Sequence, residues 1–192
     1  MSIKNIIGRS EEITRLDRCM EDISAQLIII YGRRRVGKTY LINEFFNNEF
    51  AFKLTGAYKK TKAFQLESFA DELKQKSRKT QPVPSDWRDA FRQLREYLET
   101  LPEKEKQVVF IDEMPWLDTP QSDFLPLFEW FWNDWASTRN NLVFIVCGSA
   151  TSWMTDNISG NKGGLFNRQS CRIYLEPFTL RETEDFLGFK GI

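Results

Sequence analysis

Residues 27–39 read Leu27-Ile28-Ile29-Ile30-Tyr31-Gly32-Arg33-Arg34-Arg35-Val36-Gly37-Lys38-Thr39, and their order decides the fold. An almost unbroken apolar run suits a strand buried on both faces, as in a parallel sheet. The stretch from Gly32 to Thr39 then matches GxxxxGK[ST] in full. It stands between that strand and a segment, 38–46, whose apolar residues are Leu41, Ile42, Phe45 and Phe46. The arrangement has a physical cause. Glycines let backbone N–H groups turn inward around phosphate oxygens, and the following helix adds the positive end of its dipole. Lys38 supplies a point charge to the phosphates, and the Thr39 hydroxyl a ligand for Mg²⁺. The candidate phosphate-binding set is Gly32, Arg33, Arg34, Arg35, Val36, Gly37, Lys38, Thr39 and Tyr40. The three arginines fill spacer positions, so their side chains are expected to point into solvent.

Outward from this stretch, strand and helix patterns alternate. Further β-type runs lie at 50–54 (FAFKL), 108–111 (VVFI), 142–147 (LVFIVC) and 172–175 (RIYL). The runs at 27–31, 108–111 and 142–147 are nearly all apolar and read as interior strands. Those at 50–54 and 172–175 are mixed and read as edge strands. Helical spacing appears at 11–22, with Ser10 as candidate N-cap, and again at 63–76, 87–101 and 123–136. Thr179-Leu180-Arg181-Glu182 has capping-box spacing and opens a helix through Leu187. Strands alternating with helices predict an α/β fold, a three-layer sandwich around a mostly parallel five-stranded sheet.

In such a sheet, ligands gather at the carboxyl ends of the strands. Val108-Val109-Phe110-Ile111-Asp112-Glu113 puts two acids at one of those ends. A carboxylate there costs solvation unless a cation meets it. Asp112 is therefore the candidate Mg²⁺ ligand beside Thr39, and Glu113 the candidate general base for an attacking water. Val146-Cys147-Gly148-Ser149 ends another strand, and Ser149 is placed to donate to a γ-phosphate or to that water. Downstream, a loop rich in glycine and asparagine (159–164) reads as mobile. Arg168 follows it as a candidate arginine for charge developing on the γ-phosphate. Asn161-Lys162 lacks an aspartate two residues on, so the guanine-reading NKxD pattern is missing and ATP is favoured over GTP.

Composition bounds the alternatives. The 192 residues carry 27 basic and 27 acidic side chains, so no global field recruits nucleic acid or an anionic membrane. The absence of histidine excludes His-based triads and imidazole metal sites. Three cysteines, Cys19, Cys147 and Cys171, are far apart with no CxxC pair. They argue against a zinc site and a disulfide framework and fit a reducing cytosol. With no signal-like or membrane-spanning run, the expectation is a soluble cytoplasmic protein with no membrane partner.

Together, GRRRVGKT, VVFIDE and CGSA, with Ile7-Gly8-Arg9 and Glu12 upstream and residues 165–177 downstream, resemble the archaeal-type prokaryotic P-loop ATPases related to the AAA+ and STAND classes. The resemblance implies ATP and Mg²⁺ as cofactors and hydrolysis to ADP and phosphate. It also implies an acidic strand not adjacent to the P-loop strand, an adenine contact near Ile7, Gly8 and Arg9, and an arginine at Arg168. The family usually has Gly-Arg where this chain has Asn167-Arg168. Members continue into a helical lid and a winged-helix or nuclease-like region. Residues 1–192 therefore read as the ATPase core domain alone, with homo-oligomerisation possible and any nucleic-acid role assigned to the C-terminal region. Catalytic roles are expected of Lys38, Glu113, Ser149 and Arg168. The competing expectation is a nucleotide-binding switch that turns over negligibly as an isolated fragment.

Overall fold

The computed structural model describes residues 6–159, 164, 165 and 167–191. Five strands form one sheet: β1 (Gln26–Tyr31), β2 (Phe52–Thr55), β3 (Gln107–Asp112), β4 (Leu142–Gly148) and β5 (Cys171–Tyr174), in the order β2-β3-β4-β1-β5 with every pairing parallel. The three most apolar runs occupy the interior positions and the two mixed runs the edges. Hydropathy predicts this, because only interior strands are covered on both faces and along both sides. β4 lies between the P-loop strand β1 and the acidic strand β3.

Side chains alternate across the sheet. Leu27 and Ile29 of β1 join one core, and Ile28 and Ile30 join the other. The first core is covered by α3 (Lys62–Ser77), α4 (Trp87–Glu99) and α5 (Phe124–Asp134). The second is covered by α1 (Ser10–Glu21) and α2 (Lys38–Phe45). A short α6 (Thr151–Trp153) runs into a π-helical turn, Met154–Ser159, and α7 (Leu180–Lys190) closes the chain. No described residue of α7 is buried. None of the helices is long and apolar enough to cross a membrane, among the described residues.

One local expectation needs correction. Ser10 does not cap α1. It is the first helical residue, and Arg9 occupies the cap position at φ 60° without a side-chain cap. The three cysteines are free, and Cys19 of α1 and Cys171 of β5 are brought together in the second core. A hydrogen bond from Cys19, with help from the Arg15 guanidinium, lowers the Cys171 thiol to about 7. Residues 160–163 of the glycine- and asparagine-rich loop lie outside the described residues.

Candidate functional site

The turn after β1 is shaped by its glycines. Gly32 has φ 151°, and a Cβ there would stand 2.3 Å from the carbonyl oxygen of Leu175, just past β5. Gly37 has φ 94° and caps α2. Only glycine meets both demands without strain. The first turn of α2 holds no acid, so nothing opposes an anion at its positive end. Arg33, Arg34 and Arg35 are exposed, as spacer residues should be. Arg34 is turned sideways, its guanidinium 5.8 Å from the ring centre of Tyr58 and 5.9 Å from that of Trp116.

Lys38 is buried, and its Nζ donates to the carbonyl oxygens of Gly32 (2.9 Å) and Arg33 (2.8 Å). The ammonium is thus stored inside the turn on two neutral carbonyls, an arrangement that phosphate oxygens would outcompete because charge-assisted bonds are stronger. The Thr39 hydroxyl donates to Asp112 Oδ2 at 2.7 Å, joining α2 to the end of β3 across 73 positions of sequence. These two oxygens form the donor set a hard cation prefers. Phosphate and water would complete a Mg²⁺ shell there. Among the described residues no group of three or more acidic, cysteine or histidine side chains offers an all-protein metal cage.

Glu113 follows at φ 47°, a left-handed conformation rare outside glycine. This bend sends its side chain toward β4, where Oε2 accepts from the Ser149 hydroxyl (2.8 Å) and the Ser149 N–H (3.1 Å). Gly56, after β2, lies against the same bend: a Cβ there would stand 2.4 Å from the Glu113 carbonyl oxygen. Lys38, Thr39, Asp112, Glu113 and Ser149 are therefore connected through three neighbouring strand ends. Cys147, fully buried beside them, has its thiol pushed well up by burial, so it is a core residue.

Beside the turn is a cavity of about 380 Å³ lined by Ile6, Ile7, Arg9, Val36, Gly37, Tyr40, Pro177, Phe178 and Phe186, among others. Its walls come from both ends of the chain. Arg9 is 6% exposed and holds them together. Its guanidinium donates to the carbonyls of Val36 (3.2 Å) and Glu176 (2.8 Å) and lies 4.5 Å from the ring centre of Phe178. Its backbone N–H donates to Glu182 Oε1 of α7 (3.2 Å). Gly8 leaves the room Glu182 needs, since a Cβ there would stand 2.7 Å from that carboxylate. The sequence pointed to Arg9 but not to Pro177, Phe178 and Phe186. Their one legible signal was the capping box that fixes the start of α7.

Arg168 is not brought to this site within its own chain. It is exposed, and its backbone N–H donates to Leu165 O. Two residues later Ser170 pairs with Leu27, at the amino end of β1. Five residues of strand, about 16 Å, separate that end from Gly32.

Residues 6–191 match a family described as an ATPase domain predominantly from Archaea. The chain belongs to this family. An uncharacterized protein of Methanocaldococcus jannaschii is 25% identical over 185 residues, covering 94% of this chain but 38% of the relative. An uncharacterized ATP-binding protein of the same organism is 51% identical over 43 residues, 22% of this chain and 73% of the relative. Among solved structures, a Walker-type ATPase of Pyrococcus abyssi superposes with a TM-score of 0.69 at 22% identity, covering 98% of this chain and 59% of that one. A chain from the Drosophila ORC bound to DNA superposes at 0.60 and 14% identity, covering 97% and 48%. At such identities the two structures share the fold. The ATPase domain thus spans less than two thirds of the first relative and of both structures.

Proposed function

We propose that this domain binds ATP with Mg²⁺ and hydrolyses it to ADP and phosphate, coupling the step to movement of parts of a longer ATPase. The observation that carries the reading is the 2.7 Å contact between Thr39 and Asp112, which seats a hard-cation donor pair beside the phosphate turn, with Glu113 next in the chain. Backbone N–H groups of the Gly32–Thr39 turn and Lys38 hold the phosphates, while Arg9, Tyr40 and Phe178 enclose the base. When bound, Mg²⁺ neutralises charge on the phosphate oxygens. Glu113 accepts the proton of the attacking water, and Ser149 orients either that water or the γ-phosphate.

A switch with little turnover is the second reading, and one observation favours it. Both donors of Ser149 go to Glu113 Oε2, and two of the three Lys38 N–H donors go to its own turn. Nucleotide binding and turnover would exchange these bonds for ones to phosphate and water. Phosphate release at saturating ATP separates the readings. A turnover that Glu113→Gln lowers by roughly 10² to 10⁴ supports hydrolysis with Glu113 as base. A turnover equal in both proteins moves the base elsewhere, and none in either leaves the switch.

Arg168 fits this scheme through a neighbouring subunit, given its place at the far end of β1. Arg168→Ala is expected to leave ATP affinity unchanged and to lower turnover by ~10³. Mixing it with Lys38→Ala should restore activity. Unchanged turnover in Arg168→Ala would leave it an ordinary surface charge.

A further inference from the structure

The loop after β2 reads Gly56-Ala57-Tyr58-Lys59-Lys60-Thr61-Lys62-Ala63-Phe64, with three lysines between two aromatics. Both rings are open to solvent, Tyr58 at 50% and Phe64 at 40%. Thr61 caps α3, which places Lys62 in its first turn with no acid there. α1, α4 and α7 all carry acids in their first turns. Cations gathered at the positive end of a helix destabilise the free protein, and an anionic ligand would reverse that effect.

Among the described residues, Arg34, Lys59, Lys60 and Lys62 make no ion pair. Arg34, Lys59 and Lys60 lie over rings instead, Lys59 at 5.1 Å from the centre of Tyr58 and Lys60 at 5.0 Å from that of Phe64. Tyr58 meets Trp116 edge to face, with ring centres 4.5 Å apart. Lys59, Lys60, Lys62, Pro115 and Trp116 line a hollow of about 540 Å³. Its one carboxylate, Asp118, accepts a hydrogen bond from the Trp153 indole.

We propose that this groove binds single-stranded nucleic acid, with the phosphate backbone along the lysines and bases stacked on the exposed rings of Tyr58 and Phe64, Tyr58 being held from its edge by Trp116. The pairing of exposed rings with unpaired cations selects that partner. Bases in a duplex are stacked on each other and cannot reach the rings, whereas single strands present both a charged backbone and free base faces. An acidic peptide would use the lysines and leave the rings idle. The chain's zero net charge does not oppose this, because the charge is concentrated where the aromatic surface is. The groove also touches the candidate nucleotide site. Trp116 lies three residues past Glu113, and Arg34 extends from the phosphate turn over Tyr58 and Trp116. The proposal goes beyond ATP hydrolysis and does not depend on it.

The test is fluorescence anisotropy of a fluorescein-labelled 20-nucleotide oligo-dT with the folded protein, without ATP, across a salt series. Binding is expected at low salt. In log K against log salt, replacing Lys59, Lys60 and Lys62 together by alanine should flatten the slope by about 2, three contacts at roughly 0.7 each. Tyr58→Ala should weaken binding by about fivefold or more, and Tyr58→Phe should retain it, because stacking needs only the ring. No binding by the wild type at low salt overturns the proposal. Affinity indifferent to Tyr58→Ala, or equal affinity for the matching duplex, overturns the single-strand reading. Displacement of the oligonucleotide by poly-glutamate at equal charge concentration assigns the lysines to an acidic protein partner instead.

Discussion

One sheet is covered by two layers that do different work. The layer of α3, α4 and α5 is aromatic: Phe69, Trp87, Phe91, Phe124, Phe128, Phe131 and Trp132 all lie buried there, with Phe91 and Phe131 stacked at 5.0 Å. The layer of α1 and α2 is thinner and mostly aliphatic, with Leu16, Leu41, Ile42 and Phe45 against the sheet. Yet the thinner layer carries Lys38, Thr39 and Arg9. Large rings bury much apolar area each and pack in few orientations, so the aromatic layer supplies rigidity. The other layer leaves a buried ammonium on two carbonyls and a helix end open to anions. The largest cluster of buried rings and the Lys38 turn therefore lie on opposite sides of the sheet.

The largest effect that would break this division comes from the aromatic side. Phe131 is 2% exposed and touches Phe91, Trp135 and Phe144. Phe131→Ala should lower the unfolding free energy by about 3–5 kcal/mol, measured by urea denaturation, and leave ATP affinity in the folded fraction unchanged. A parallel loss of affinity would show that the aromatic layer also shapes the site. Lys38→Ala should do the reverse. ATP affinity in calorimetric titration is expected to fall on the order of 10²-fold or more, with the charged hydrogen bonds lost, and the urea midpoint to move little. Undiminished affinity would remove the phosphate assignment.

The smallest effect sharpens the comparison at its margin, where α7 buries none of its described residues. Thr179→Ala removes the cap and should cost about 1 kcal/mol of local stability, read as faster amide exchange in α7 with the rest unchanged. Glu182 is the pH-sensitive half of this cap. Partial burial pushes its carboxyl up, but hydrogen bonds from Thr179 and Arg9 prevail and hold it below 4.5. A lowered native pKa stabilises fully above the unfolded value and loses that stabilisation as pH falls through the native one. Protection of α7 should therefore be constant above pH 4.5 and fall below it. Protection independent of pH there would detach Glu182 from the cap.

Much of this was legible in the chain. The strand LIIIY, the glycines of the phosphate turn and the acids ending VVFIDE each depend on chemistry within a few residues, so their spacing alone placed them. Strand position in the sheet was also readable, because burial on both faces demands a different composition from an edge. Ser10 failed as a cap for the opposite reason. Arg9 is held left-handed by contacts with Val36, Glu176 and Glu182, and no local propensity encodes partners up to 173 positions away.

The sequence by itself determined the type of fold, the glycine turn after β1 and the identity of the acids beside it, because periodicity and motif spacing are local quantities. Only the tertiary structure decided which distant groups meet. It turned Glu113 onto Ser149, enclosed a cavity between the two ends of the chain, set Cys19 beside Cys171, and left Arg168 at the far end of the sheet. The physical reason is that strand order and crossovers, which fix such meetings, follow from how whole layers bury their faces.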